Sequence, residues 1–142
     1  MKAFLLAAGI GSRLRPITFS TPKCLVPIGD TTLIDIWYNK LESMKVTEVL
    51  VNTHHLNKKI EDHISKLNTS IKTTIIHEKK LLGSAGTILA NKNFIDNDPF
   101  WIIYSDNLTT ANLGAILSMH QAYNPMISMG LFRSKKPELC GV

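Results

Sequence analysis

Gly9 and Gly11 follow a short apolar run, and Arg13, Arg15 and Lys23 come soon after them. No Asp or Glu occurs before Asp30, so Lys2 and these three cations supply most of the formal net charge of +5. Glycine lets backbone N–H groups approach an anion with no Cβ in the way, and neighbouring cations neutralise its charge. A fold seldom needs such a bias; an anionic ligand does, and a polyphosphate suits it best.

Three familiar nucleotide motifs fail here. A Walker A loop ends in Gly-Lys-Ser/Thr, which is absent after Gly11. A dinucleotide fingerprint needs a third glycine where this chain has Leu14, and Asp30 precedes the first helix instead of ending the second strand, which argues against a dinucleotide-dependent oxidoreductase. A kinase glycine loop needs flanking β-strands, and the segment with Pro16, Pro22 and Pro27 is too proline-rich for one.

The elements that must position these residues alternate. Apolar runs predict strands over 3–8, 49–51, 71–76, 100–104 and 126–132. Leu33, Trp37, Leu41 and Met44 mark one helix face, and Leu56, Ile60, Ile64 and Leu67 a second. A short helix is expected after Gly83 through Ala85, Ile88 and Leu89, and another over 111–123. The expectation is an α/β fold, a mainly parallel sheet with helices on both faces, binding its ligand at the carboxyl ends of the strands. The segments after the first and fourth strands, 9–22 and 105–112, therefore matter most.

At 142 residues, 44% hydrophobic and 19% charged, the chain reads as one domain over 1–142. It stops just as a strand is starting, so an incomplete domain is expected. Cys24 and Cys140 fit no metal-ligand or disulfide framework, which points to a reducing, cytoplasmic setting. No signal peptide or transmembrane span is visible. The later lysines are interspersed with acids and form no aromatic-basic stripe, which argues against nucleic acid. The five histidines show no metal spacing, and Glu78, close to the glycine segment at Gly83, could act on substrate although solvation is the expected use.

Taken whole, the opening segment resembles the signature of the sugar-1-phosphate nucleotidylyltransferases, L-A-x-G-x-G-x-R-L-x-P-x-T followed by P-K-x-L-x-P-I. The residues concerned run from Leu6 through Thr18, with Gly9, Gly11, Ser12 and Arg13 among them, and from Pro22 through Ile28. Leu82-Gly83-Ser84-Ala85-Gly86 resembles the family's L-G-[ST]-A-G segment, and Ser105-Asp106-Asn107 its G-D-N. Residues 137–142 are similar to the segment leading to a glycine beside the sugar, here Gly141. Matches in this order cover nearly the whole chain. The wording is nearest the mannose-1-phosphate guanylyltransferase group.

The resemblance implies a Rossmann-like nucleotidyltransferase core in its N-terminal portion. It implies transfer of a nucleotidyl group from a nucleoside triphosphate, GTP before others, to a sugar 1-phosphate, with Mg²⁺ as cofactor. Arg13, Lys23 and Asp106 are then the catalytic residues, Asp106 as the metal ligand. Leu6, Ala8, Gly9, Gly11, Ser12, Gly83, Gly86 and Gly141 are expected to bind substrate. From the residues alone, Asp106 as a cap of the helix near Ala111 and Arg15 as a solvated surface cation stay open. The partners are the two substrates, with a homo-oligomer left open and neither nucleic acid nor a membrane.

Two features depart from the family. Ser105 stands where a glycine is usual, and the E-K-P segment and second metal-binding Asp are missing. These keep a non-catalytic nucleotide-binding subunit or fragment as the alternative.

Overall fold

A computed structural model of the chain describes residues 1–136. Its first compact unit is Met1–Leu108; a second begins at Thr109. In the first, β1 (Lys2–Leu6) lies inside a four-stranded sheet with β4 (Glu48–Thr53), β5 (Lys72–His77) and β6 (Phe100–Tyr104), in the order β5-β4-β1-β6. Every pairing in it is parallel, with Leu6 level with Asn52 on one side and Tyr104 on the other. Strands buried on both faces must be continuously apolar, which is why Ala3, Phe4 and Leu5 are wholly buried.

The helices divide between the two faces. Helix α1 (Leu33–Ser43) starts at a capping box, in which the Thr32 hydroxyl accepts from the Asp35 N–H and the Asp35 carboxylate accepts from the Thr32 N–H. Its Tyr38 hydroxyl meets Thr73 Oγ1 at 2.8 Å, on the sheet face carrying Val49 and Ala3. Helix α2 (Asn57–Ile64) buries Ile60 and Ile64 and joins α1 through His63 Nε2 and Asp35 Oδ1, 2.7 Å apart. On the opposite face Ile88 of α3 (Gly83–Ala90) packs against Phe4, Leu6 and Leu50, together with Phe94 and Phe100. Both rings sit edge-on to Phe4, at centroid distances of 5.3 and 5.8 Å.

This winding creates a crevice. The connections through α1 and α2 lead from β1 outward to β5 on one face, whereas α3 leads back across to β6 on the other. Chain direction therefore diverges between β1 and β6, and the loops leaving their carboxyl ends part there.

Two features differ from the sequence-based expectation. Residues 27–32 make a small antiparallel hairpin of β2 (Pro27–Ile28) and β3 (Thr31–Thr32), turning at Gly29 with φ 61°. In the second unit α4 (Leu113–Tyr123) is present, capped by the Asn112 side chain accepting from the Ala115 N–H at 3.1 Å. The strand expected over 126–132 is absent. Met126, Ile127, Met129, Leu131 and Phe132 are 73–96% exposed and have no regular structure. Apolar composition makes a strand only where a neighbouring strand pairs with it, and none does so among the described residues. Nor is any helix among them long and apolar enough to cross a membrane.

Two outcomes are expected. Phe4→Ala should lower the unfolding free energy by about 3–5 kcal/mol in urea titrations, since a fully buried ring is removed from between two others. Burial pushes the Asp35 carboxyl up, but hydrogen bonds from Thr32 and His63 outweigh it and hold the group below its ordinary value. A depressed carboxyl stabilises the fold above its unfolded pKa, and that contribution is lost as pH falls through the folded value. Melting temperature measured downward from about pH 5 should therefore fall less steeply in Asp35→Asn than in the parent chain.

Candidate functional site

The loop after β1 is folded by one glycine. Gly11 holds φ 70°, and a Cβ there would come within 2.8 Å of Thr18 Cγ2 and 3.3 Å of Lys23 Cβ. The buried Thr18 hydroxyl donates to the Gly11 carbonyl at 2.8 Å, and His55 Nε2 meets the Thr18 carbonyl at 2.9 Å. The loop thus closes on itself through 3₁₀ turns at Ser12–Leu14, Ile17–Phe19 and Lys23–Leu25. Its last turn returns Lys23 to the sheet, anchored by the buried Cys24. Burial pushes the Cys24 thiol up to about 12, so it packs as an inert apolar group.

Asp106 arrives from the other side. The Tyr104 carbonyl accepts from the Asn107 N–H at 3.1 Å, closing a tight turn just past β6. The Trp37 indole of α1 donates to the Asn107 carbonyl at 2.9 Å. Ser105, 2% exposed, donates both its N–H and its hydroxyl to the Leu6 carbonyl, at 3.0 and 2.8 Å. Held this way, Asp106 Oδ2 forms an ion pair with Lys23 Nζ, both side chains part-exposed. Asp106 is thus paired to the loop cation, while Asn112 caps α4.

A cleft of about 230 Å³ opens between these elements. Of the residues named from the sequence, Leu6, Ala8, Gly9, Lys23, Gly83 and Asp106 line it. Gly11, Ser12, Arg13 and Gly86 do not, and Gly141 lies outside the described residues. Arg13 is exposed on the first 3₁₀ turn, and the Arg15 guanidinium lies 5.1 Å from the Phe19 ring centroid. Gly9 takes no positive φ and has open space where a Cβ would go, whereas Gly83 needs its φ of 71°.

Asn52 was not singled out by the sequence, and Glu78 was expected in solvent; both are buried in the cleft wall, at 4% and 5% exposure. Asn52 Oδ1 accepts from the Ala7 N–H at 2.8 Å, and its Nδ2 donates to Glu78 Oε1 at 2.9 Å and Thr87 Oγ1 at 3.1 Å. The wholly buried Thr87 hydroxyl also donates to Glu78 Oε1, and Glu78 Oε2 accepts from the Leu82 N–H at 3.1 Å. Burial pushes the Glu78 carboxyl up, yet the bonds from Thr87, Asn52 and Leu82, with His54 nearby, hold it below the ordinary range. A carboxylate can be buried this deeply because its charge is met by donors. The only sequence signal for the pair was polarity at the ends of two apolar strands.

The arrangement suits phosphate chemistry. Lys23 presents a compact cation, Asp106 a hard oxygen donor, and residues 7–9 backbone groups at one mouth. Asp106 fits a Mg²⁺ ion, which takes oxygen ligands and commonly needs only one or two carboxylates beside substrate phosphates. Among the described residues no group of three or more His, Cys, Asp or Glu side chains could hold a metal, so phosphate and water oxygens would fill the rest of the shell.

The chain is 30% identical over 147 residues to mannose-1-phosphate guanylyltransferase 1 of Arabidopsis thaliana, covering all of this chain and 41% of that protein. It therefore spans about two fifths of the length of the curated relatives it matches. A solved UDP-glucose pyrophosphorylase complexed with UDP-glucose shares the fold, with a TM-score of 0.72 at 24% identity over 87% of this chain and 54% of that one. CTP:phosphocholine cytidylyltransferase from Streptococcus pneumoniae gives a TM-score of 0.66 at 25% identity, over 79% of this chain and 47% of that one. A family model for nucleotidyl transferases matches residues 2–142. With a parallel sheet, a closed glycine loop and a Lys–Asp pair at the crevice, the chain belongs to the nucleotidyl transferase family.

Proposed function

We propose that this chain carries the triphosphate-binding part of a sugar-1-phosphate nucleotidylyltransferase, with GTP as the nucleotide. The observation that supports it most is the meeting of Lys23 and Asp106 in the cleft where β1 and β6 diverge. A sugar 1-phosphate is already anionic, so its oxygen attacks the α-phosphorus without a general base. The new P–O bond forms as the bond to the bridging α,β oxygen breaks, and pyrophosphate leaves with that electron pair. The protein's task is charge neutralisation and in-line placement.

Lys23 would meet the α-phosphate and the incoming phosphate as a point charge. Asp106 would hold the Mg²⁺, which supplies neutralisation of the phosphate oxygens when bound. Arg13, exposed at the loop's first turn, would meet the β- and γ-phosphates at the outer end of the triphosphate with its bidentate fork. The base would lie between Ala7–Gly9 and the segment of Leu81, Gly83 and Ser84, which line the cleft.

The fold does not choose the base, because solved neighbours are named for UDP-glucose and CTP. The Arabidopsis relative is named a guanylyltransferase, and this supports GTP. Glu78 narrows the choice without settling it: among the described residues Oε1 accepts twice and Oε2 once, from Leu82, which leaves Oε2 a lone pair. Guanine offers a ring N–H donor to it, as do uracil and thymine; adenine and cytosine do not.

Pyrophosphate release tests the reading. The chain should release it from GTP only when Mg²⁺ and a sugar 1-phosphate, mannose 1-phosphate first, are both present. Lys23→Ala and Arg13→Ala should each lower turnover on the order of 10³-fold, and Asp106→Asn should lower turnover and raise the Mg²⁺ concentration needed for half-maximal rate. Nucleotide binding without pyrophosphate release, unaffected by Lys23→Ala, would identify a binding-only subunit instead.

A further inference from the structure

Two segments line the cleft, Ala7–Gly9 leaving β1 and Leu81, Gly83 and Ser84 at the start of α3, and one buried side chain links their neighbourhoods. Asn52 Oδ1 takes the Ala7 N–H at 2.8 Å, and Asn52 Nδ2 reaches Glu78 Oε1 at 2.9 Å. Glu78 Oε2 in turn takes the Leu82 N–H at 3.1 Å. Thr87, from the body of α3, closes the cluster by bonding both partners. We infer that Asn52 is a positioning residue that sets the separation of the two backbone walls, and through it the fit and selectivity for the nucleobase. The inference rests on the functional reading above, which places the base between these walls.

The chemistry requires an amide at this position. The Ala7 N–H needs an acceptor, and Glu78 and Thr87 need a donor; only Asn or Gln carries both on one planar group. A carboxylate at position 52 would face Glu78 with like charge, and an alanine would leave the Ala7 N–H and the Glu78 carboxylate short of partners in a dry wall. Both changes free one wall from the other.

The donor and acceptor roles can be exchanged by combining Asn52→Asp with Glu78→Gln. The carboxylate then stands at position 52, where it would accept from Ala7, from Thr87 and from the amide introduced at position 78. That amide's NH₂ would also donate to the Thr87 hydroxyl oxygen, and its carbonyl would accept from Leu82. Every hydrogen bond is regenerated, with the charge moved from one partner to the other.

Fluorescence titration of the purified chain with N-methylanthraniloyl GDP and ADP reads the effect, with circular dichroism reporting the fold. The parent chain is expected to prefer the guanine nucleotide. Asn52→Ala should weaken its binding by about tenfold or more and level the preference. Glu78→Gln alone carries the same change at the base contact and serves as the reference: the exchanged double variant should bind the guanine nucleotide about tenfold more tightly, and more selectively, than either Asn52→Asp or Glu78→Gln alone. A folded Asn52→Ala with parental affinity and preference overturns the inference and leaves the functional reading standing. So does a double variant that regains the parental melting temperature but binds no more selectively than Glu78→Gln alone. If Asn52→Ala does not fold, the double variant decides alone. A folded parent chain that binds neither nucleotide overturns the functional reading, and this inference with it.

Discussion

Strand β1 is hydrogen-bonded in parallel on both sides, and the cleft inherits its geometry from that constraint. Because Lys2 to Leu6 run level with β4 and β6, Leu6, Asn52 and Tyr104 end at one height at the carboxyl edge of the sheet, with Ala7 and Ser105 one residue beyond. The register is fixed by burial. A slip of one residue would turn Phe4 from its aromatic neighbours to the face covered by α1 and α2. The core therefore does more than stabilise the fold; it decides which polar atoms meet above it.

On this edge, a loop rich in cations is brought back by close packing. Gly11 has no room for a side chain against Thr18 and Lys23, so the turn and the placement of the lysine are one packing event. Asp106 is held with similar redundancy by the Trp37 indole, the Tyr104–Asn107 turn and the Ser105 clasp. Ordered neighbours on both sides place Lys23 in advance, so under the proposed function little ordering cost would remain when a phosphate binds there.

The alternation of strands and helices is legible in the sequence because each buried strand is an apolar run and each helix shows its stripe. The glycine loop, Lys23 and Asp106 are legible as chemistry in the wrong place for a core. The strand expected over 126–132 does not form, because apolar composition carries no information about whether a partner strand exists. Asn52 and Glu78 escape notice for a related reason. Their meaning lies in long-range pairs, with Ala7 and Thr87 supplied from elsewhere in the chain, and a polar residue at a strand end looks the same in sequence whether it faces water or a buried donor. Trp37, whose spacing places it in the core, also braces the Asp106 turn.

Ser105 shows what a deviation from a family pattern can do once it is seen in place. Glycine at this point leaves the end of β6 held to β1 by backbone alone, whereas the serine adds a rivet between the two strands at the edge that borders the cleft. Its hydroxyl is turned into the sheet and spent on the Leu6 carbonyl, so the serine stiffens the cleft floor while the Lys23–Asp106 pair keeps its own partners.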